Sequence, residues 1–384
     1  MRKLKILVLL IILSPKLLAA NFGDGSDGVC NLNTAINTDT KNIYNCSSAI
    51  ISTISVSGSK KLIIRSLGPV TISGVISLDG GDGANGVNSV TSLAGTSGPG
   101  GFSGGAGTLT SGDSGTSGGN SGEGIGGTGA TYFATGDSGG GGGGGARFGT
   151  AILPTAGEDG TDDLGGSVAG GSAGTSSYAP ESNFEAELIG GSGGGAGGSG
   201  VVDPSGDVHS GGAGGGGAGV IRISTREDLT IEAAGGISAN GGDGGDGSGN
   251  VSGGGGAGSG GAIFLEAEGD IRVNGTVSAI GGVGGDGTFA SDNNGGNGGS
   301  GRIRYDDNDG AVTGTGSTNP TPVVNTIEVT VDSGNALASY DSSIACGSLG
   351  LSEKEKAKLS LLLILSMALV GNIIFKRSQY IRNF

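Results

Sequence analysis

Apolar residues in this chain come in short alternating runs, and the runs repeat. Between Gly219 and Gly287 one arrangement is written twice, starting at Gly219-Val-Ile-Arg-Ile-Ser-Thr225 and again at Gly261-Ala-Ile-Phe-Leu-Glu-Ala267. Each copy holds two alternating apolar runs, a polar turn between them and a glycine-rich tail. The offset of about 40 residues lies in the range that signals a solenoid or array. The same order of strand, turn, strand and glycine tail runs from Leu62 to Gly83, and a truncated start appears at Gly301-Arg-Ile-Arg-Tyr305. Alternation with a period of two predicts half-buried strands. Ile50–Val56, Lys61–Arg65 and Val70–Leu78 are further strand territory, rich in β-branched residues and punctuated by Gly58, Gly68 and Gly74. After Tyr305 the pattern stops, and Thr326-Ile-Glu-Val-Thr-Val331 predicts one last strand. No helical periodicity stands out before residue 350. The expected fold is all-β: a β-helix-like solenoid with glycine-rich (polyglycine II-like) excursions, plus a C-terminal transmembrane helix.

Composition changes what the core can be. The chain has 384 residues, of which 92 are glycine, 4% are aromatic and none is tryptophan. The glycine-rich insertion from 83 to 218 has too few large apolar side chains for an ordinary core, so it is either a flexible linker or a body packed backbone to backbone. A rhythm of two glycines in three supports the second alternative, as in Gly241-Gly-Asp-Gly-Gly-Asp246, Gly281-Gly-Val-Gly-Gly-Asp286 and Gly295-Gly-Asn-Gly-Gly-Ser300. Three residues is the period of the left-handed extended helix, and two bare faces per turn let such helices approach and pair their backbone groups.

Charge narrows the partners. The formal net charge is −15, which disfavours nucleic acid and anionic membrane surfaces. His209 is the only histidine, which excludes a multi-histidine metal site and leaves no histidine-based nucleophilic machinery to assign. Paired carboxylates remain: Asp243 with Asp246, Asp286, and the run Asp306-Asp-Asn-Asp309. Two such groups in a cleft could hydrolyse a glycoside, and a polysaccharide-active β-helix enzyme is the alternative function. Asp243, Asp246 and Asp286 are also calcium candidates, because they occupy the sixth or third places of Gly-Gly-x-Gly-x-Asp. Calcium-binding rows of that motif run in tandem, whereas these stand about 40 residues apart. Solvated turn chemistry accounts for the same aspartates without metal, so the sequence assigns neither catalytic nor cofactor-binding residues and no metal site.

The two ends point to export. Arg2, Lys3 and Lys5 precede the apolar run Ile6–Leu13, and Leu17-Leu-Ala-Ala20 offers a small-residue exit, so residues 1–20 read as a signal peptide cleaved after Ala20. In an oxidising compartment Cys30 and Cys46 are placed to pair. Leu359–Phe375 is an apolar segment at the short end of what crosses a bilayer, followed by Lys376, Arg377 and Arg382. It is either a retained anchor or part of a removable signal. The second alternative rests on the order of small-residue motif, short apolar helix and basic cluster, which resembles the tripartite C-terminal sorting signals of bacterial surface proteins. In that resemblance Cys346, in Ala345-Cys-Gly-Ser-Leu-Gly350, holds the processing position; otherwise it is a free thiol.

The repeat itself carries a second resemblance. Gly253-Gly-Gly-Gly-Ala-Gly-Ser-Gly-Gly-Ala-Ile-Phe-Leu265 is similar to a motif recurring in glycine-rich bacterial cell-surface proteins. The glycine runs are more distantly similar to the glycine-helix bundles of phage tail-fibre adhesins. The first resemblance spans most of residues 60–306 and implies architecture and surface location. The organisation expected is therefore signal 1–20, N-terminal β region 21–82, glycine-rich insertion 83–218, repeats 219–306, stalk 307–350 and transmembrane or sorting segment 351–384. The expected function is structural or adhesive and not enzymatic, with host-cell or surface glycans or proteins as partners, besides the membrane and the export and sorting machinery. Tyr132, Phe133 and Phe148 are candidate contact residues on apolar islands within the insertion.

Overall fold

The computed structural model describes residues 22–109, 124, 126–130, 143, 145–146, 152–161, 167–175, 188–202, 207–249, 252–288 and 293–327. The described residues between 22 and 327 belong to one compact unit, and residues 330–384 lie outside the described residues. The described residues are all-β, with no α-helix, and no helix among them is long and apolar enough to cross a membrane.

The strands are β1 (Val29–Leu32), β2 (Ile36–Asn37), β3 (Ile43–Cys46), β4 (Ser48–Ile51), β5 (Ile54–Ser57), β6 (Leu62–Ser66), β7 (Val70–Ile72) and β8 (Val75–Ser77). Two short antiparallel pairs follow, β9 (Gly160–Thr161) with β10 (Ser167–Val168) and β11 (Gly200–Val202) with β12 (Asp207–His209). Then come β13 (Val220–Thr225), β14 (Leu229–Ile231), β15 (Gly236–Ser238), β16 (Ala262–Ala267), β17 (Ile271–Val273), β18 (Thr276–Ser278), β19 (Arg302–Asp307), β20 (Ser317–Asn319) and β21 (Val323–Thr326). Three sheets gather them in parallel: β1-β4-β7-β14-β17, β21-β19-β16-β13-β6-β3 and β2-β5-β8-β15-β18-β20. From β3 to β18, the two antiparallel pairs apart, the chain visits the second, first and third sheet in turn; the last passage runs from β19 to β20 with only an isolated bridge, Thr313 to Arg272, on the first sheet. Parallel strands need crossovers, and here each crossover is the next two strands or a glycine-rich excursion.

Register turns the sequence repeat into columns. Leu62, Ile221, Ile263 and Ile303 are direct neighbours in the second sheet, as are Ile64, Ile223, Leu265 and Tyr305. Val70, Leu229 and Ile271 align in the first sheet, and Ile76, Ile237 and Val277 in the third. All these side chains are buried in one core. Burying each is worth about 1.5–3 kcal/mol, which is why the alternation must keep phase through every intervening glycine tail. At the corner between first and third sheets the passages stack so closely that a Cβ on Gly275 would fall on the carbonyl of Gly235.

Both ends of this core are plugged. At the first passage Cys30 and Cys46, both inward, form a disulfide with Cα atoms 5.6 Å apart. Beside it Asp27 accepts hydrogen bonds from Lys41 Nζ at 2.7 Å and the Asn45 N–H at 2.7 Å, which hold its carboxyl below the usual carboxylate range. At the last passage the buried Tyr305 hydroxyl lies 3.0 Å from Thr318 Oγ1, and burial pushes the phenol up to about 12. The sheets do not stop at Tyr305, as the sequence pattern suggests: β20 and β21 extend the third and second sheets. The final described strand, Val323–Thr326, pairs with Arg304–Asp307, and residues 328–331 of the alternating run 326–331 lie outside the described region.

The described glycine-rich segments are a second ordered body, built of hydrogen-bonded backbone. Segment 210–219 shows the rule. Its N–H groups at 212, 215 and 218 donate to the carbonyls of Gly253, Gly256 and Ser259; those at 213, 216 and 219 donate to Ala84, Gly81 and Leu78; those at 214 and 217 donate to Gly105 and Phe102, all at 2.7–3.0 Å. Its carbonyls accept in the same rotation, from Gly191, Gly194 and Gly197, from Gly242 and Gly245, and from Gly95 and Gly98, at 2.8–2.9 Å. Three acceptor segments and three donor segments make six neighbours around one strand of backbone. Segment 253–261 is surrounded in the same manner. Successive backbone groups pointing in three directions is the behaviour of a helix with three residues per turn, and every N–H of segment 253–261, and every N–H of 210–219 but that of Gly211, donates to a carbonyl among the described residues. Glycine is required because there is no gap for a side chain: a Cβ on Gly212, Gly215 or Gly255 would coincide with the carbonyl oxygens of Gly245, Gly242 or Ala213.

Candidate functional site

Among the described residues, an edge row of the glycine body carries side chains at regular intervals across three successive excursions. The excursion after β8 runs 78–86, that after β15 runs 240–247 and that after β18 runs 280–287, and the three lie parallel. Gly80, Gly83 and Gly86 donate to Asn240, Asp243 and Asp246, and Gly241, Gly244 and Gly247 donate to Ile280, Val283 and Asp286. Every third residue of these segments faces outward, giving the aligned sets Asp79–Asn240–Ile280, Asp82–Asp243–Val283 and Asn85–Asp246–Asp286. The row continues from the outer face of the third sheet, where Ser77, Ser238 and Ser278 are register neighbours.

Edge position explains the choice of residue. A helix inside the bundle has a neighbour for each third N–H, whereas the outward residues of this row lack one. The side chain of the preceding layer takes the place of that neighbour. Asp79 Oδ1 accepts from the Asn240 N–H at 2.7 Å, Asp82 Oδ1 from Asp243 at 2.9 Å and Asn85 Oδ1 from Asp246 at 2.9 Å. One layer on, Asn240 Oδ1 accepts from Ile280 at 3.0 Å, Asp243 Oδ1 from Val283 at 2.7 Å and Asp246 Oδ1 from Asp286 at 3.0 Å. Hydroxyls knit the row to the sheet: Ser238 Oγ donates to Asp79 at 2.6 Å and Ser278 Oγ to Asn240 at 2.7 Å. On the last layer the N–H groups of Gly284 and Gly287 donate instead to Asn297 and Asn294 within the same excursion. A carboxylate accepting a main-chain N–H makes one of the stronger hydrogen bonds available to it.

This arrangement accounts for Asp243, Asp246 and Asp286 as row members. Each of Asp243 and Asp246 turns one carboxylate oxygen to a backbone donor and stands exposed, and the pair lies along one edge of one segment. Among the described residues, no group of three or more His, Cys, Asp or Glu side chains converges as a metal site would. Asp306 is taken by Arg304, at 2.6 Å and 2.7 Å, and by Asn325 at 3.2 Å. Asp307 accepts the Ile271 N–H at 2.6 Å, so it caps the start of β17, the last strand of the first sheet. His209 sits at the tip of the glycine body with Nδ1 3.1 Å from Ser248 Oγ. Gly249, at a φ of +67°, turns under its ring, and a side chain there would collide with it.

A second cluster was invisible to motif reasoning. On the outer face of the second sheet Arg222, Phe264 and Arg304 are register neighbours, and each guanidinium carbon lies 5.0 Å from the Phe264 ring centroid. Arg222 and Ser224 both reach Glu266 Oε2 at 2.8 Å. Phe264 is fully buried with Leu188, Val220 and Ala262 beside it, so a face that alternation assigns to solvent is covered. Its only sequence signal is arginine recurring at the same place in two copies of the repeat. The processing and anchoring residues Ala20, Cys346 and Leu359–Phe375, and the candidate contact residues Tyr132, Phe133 and Phe148, lie outside the described residues. No family model, curated protein or solved structure matches this chain.

Proposed function

We propose that this protein is an exported, surface-anchored structural or adhesive scaffold: a β-helix-like solenoid carrying a polyglycine II-like bundle, with the aspartate and asparagine row as its working surface. The observation that carries the reading is the row itself. Its side chains are spaced by backbone pairing, and those of its first two layers each accept a main-chain N–H from the layer beside them. An array of this kind suits repeated weak contacts, which add through multivalency. The Cys30–Cys46 disulfide is in keeping with an oxidising compartment, and the charge of −15 with keeping the exported body soluble. Partners of this reading are glycans or proteins on a neighbouring cell or in the surrounding matrix.

The test uses the full-length protein on its native surface. External protease should reach the body in intact cells, and beads coated with the protein should bind a cell and glycan panel without turnover. Replacing Asp79, Asp82, Asp243 and Asp246 together by Asn keeps the Oδ1 acceptor for each main-chain N–H of the row and should weaken binding. Binding unaffected by the quadruple change would move the working surface elsewhere. A body protected from protease, or cleavage of a polysaccharide, would overturn the reading.

A further inference from the structure

The sequence contains five Asn-Gly pairs: Asn85-Gly86, Asn240-Gly241, Asn274-Gly275, Asn294-Gly295 and Asn297-Gly298. In such a pair the glycine nitrogen can attack the asparagine Cγ, and glycine offers no side chain to hinder it. The geometry treats the five differently. Four are held at both reacting groups. The N–H groups of Gly86, Gly241, Gly295 and Gly298 donate to Asp246, Ile280, Gly285 and Gly282 at 2.7–3.0 Å. Their asparagines each accept a backbone hydrogen bond at Oδ1, from Asp246 to Asn85 at 2.9 Å, Ile280 to Asn240 at 3.0 Å, Gly287 to Asn294 at 2.8 Å and Gly284 to Asn297 at 2.9 Å. Asn274-Gly275 lies at the corner between β17 and β18. There the Asn274 backbone N–H donates to Ile231 and the Gly275 carbonyl accepts from Ser317, while neither the Asn274 side chain nor the Gly275 N–H makes a hydrogen bond among the described residues. The Asn274 side chain is half-buried and reachable by water.

We infer that Asn274 is a site of spontaneous covalent modification in the folded protein, and that the glycine bundle protects the other four pairs. The Gly275 nitrogen forms a bond to Asn274 Cγ, the Cγ–Nδ2 bond breaks, and ammonia leaves with the proton from the Gly275 N–H. The cyclic imide then adds one water across either carbonyl, giving aspartate or isoaspartate. Either product adds one negative charge. Isoaspartate also adds a methylene to the main chain at a corner where the Gly275 and Gly316 backbones stack with no room for a Cβ.

The experiment incubates the full-length protein at mildly alkaline pH in heavy-oxygen water and follows all five peptides by mass spectrometry, folded and in denaturant. Folded, Asn274 should take up label about tenfold faster or more than the other four, since each of those must first break two hydrogen bonds worth about a factor of several apiece. In denaturant the five should react at comparable rates. Asn274→Gln should remove label from that peptide and leave the other four unchanged. Asn274 reacting no faster than a held pair in the folded protein would overturn the inference. The same ranking in denaturant would also overturn it, by assigning the difference to local sequence.

Discussion

Replacing Gly255 by Ala tests whether the glycine body is held by backbone contact. On propensity alone the change should stabilise the protein by about 0.4–1 kcal/mol, because alanine restricts the unfolded chain more than glycine does. The structure gives the opposite sign. The new Cβ would land on the Ala213 carbonyl oxygen, which accepts the Gly245 N–H at 2.8 Å; the Gly245 carbonyl in turn accepts the Gly255 N–H at 2.8 Å. Relieving the overlap means moving segment 253–261 away from 210–219, which stretches the Gly212–Gly253 and Gly215–Gly256 bonds joining them, 2.9 Å each, and disturbs the Gly255 N–H to Gly245 bond. Leaving two or three buried backbone groups poorly paired costs about 1–3 kcal/mol each, so the net loss should be about 3–6 kcal/mol. Val283→Ala is the control, since that side chain is 63% exposed on the edge row and should shift stability by less than about 0.5 kcal/mol. Urea unfolding followed by circular dichroism reads both. A Gly255→Ala protein as stable as its parent, or more stable, would refute the packed-backbone account.

The edge row predicts a split between two changes at one residue. Asp243→Asn keeps the acceptor for the Val283 N–H and should leave stability within about 0.5 kcal/mol, while Asp243→Ala should cost about 1 kcal/mol, both read by thermal unfolding. Replacing Cys30 and Cys46 together by Ala opens a closure between residues 16 apart in sequence and should lower stability by about 3 kcal/mol, visible in the urea midpoint. Tyr305 gives a pH signature. Its folded phenol is pushed up to about 12 by burial, above the unfolded value near 10, so the unfolded chain releases its proton first. Stability from this group is complete below about pH 10 and falls as pH rises to about 12; Tyr305→Phe should flatten that fall in thermal melts across the window.

The β body was legible because its signal is local. Alternation in Leu62–Ser66, Val220–Thr225 and Ala262–Ala267 marks strands, and the common offset marks stacking of like on like. The glycine tails were half legible. Their rhythm of three announced extended helices, but nothing in 78–86 says that its neighbour is 240–247, about 160 residues on. Glycine has no side chain to specify a partner, so pairing is set by where the strands at each end place the segments. The aspartates illustrate the same gap: Asp243 serves an N–H forty residues later, at Val283, a relation only the layering creates. Arg222, Phe264 and Arg304 were missed because alternation assigns their face to solvent, and a distant segment around Leu188 covers it.

A body assembled from main-chain groups should also respond to temperature unlike an oily core. The heat-capacity change of unfolding rises with exposed apolar surface and falls with exposed polar surface. Segments such as 210–219 and 253–261, fully buried and nearly bare of hydrocarbon, release mostly amide surface when they open. Their share of the heat-capacity increment is therefore small or negative, and the stability curve of this part is flatter than that of a conventional domain of equal length. Cooling, which weakens hydrophobic burial, removes little from it. The glycine layers should hold their order in the cold better than the β columns to which they are joined.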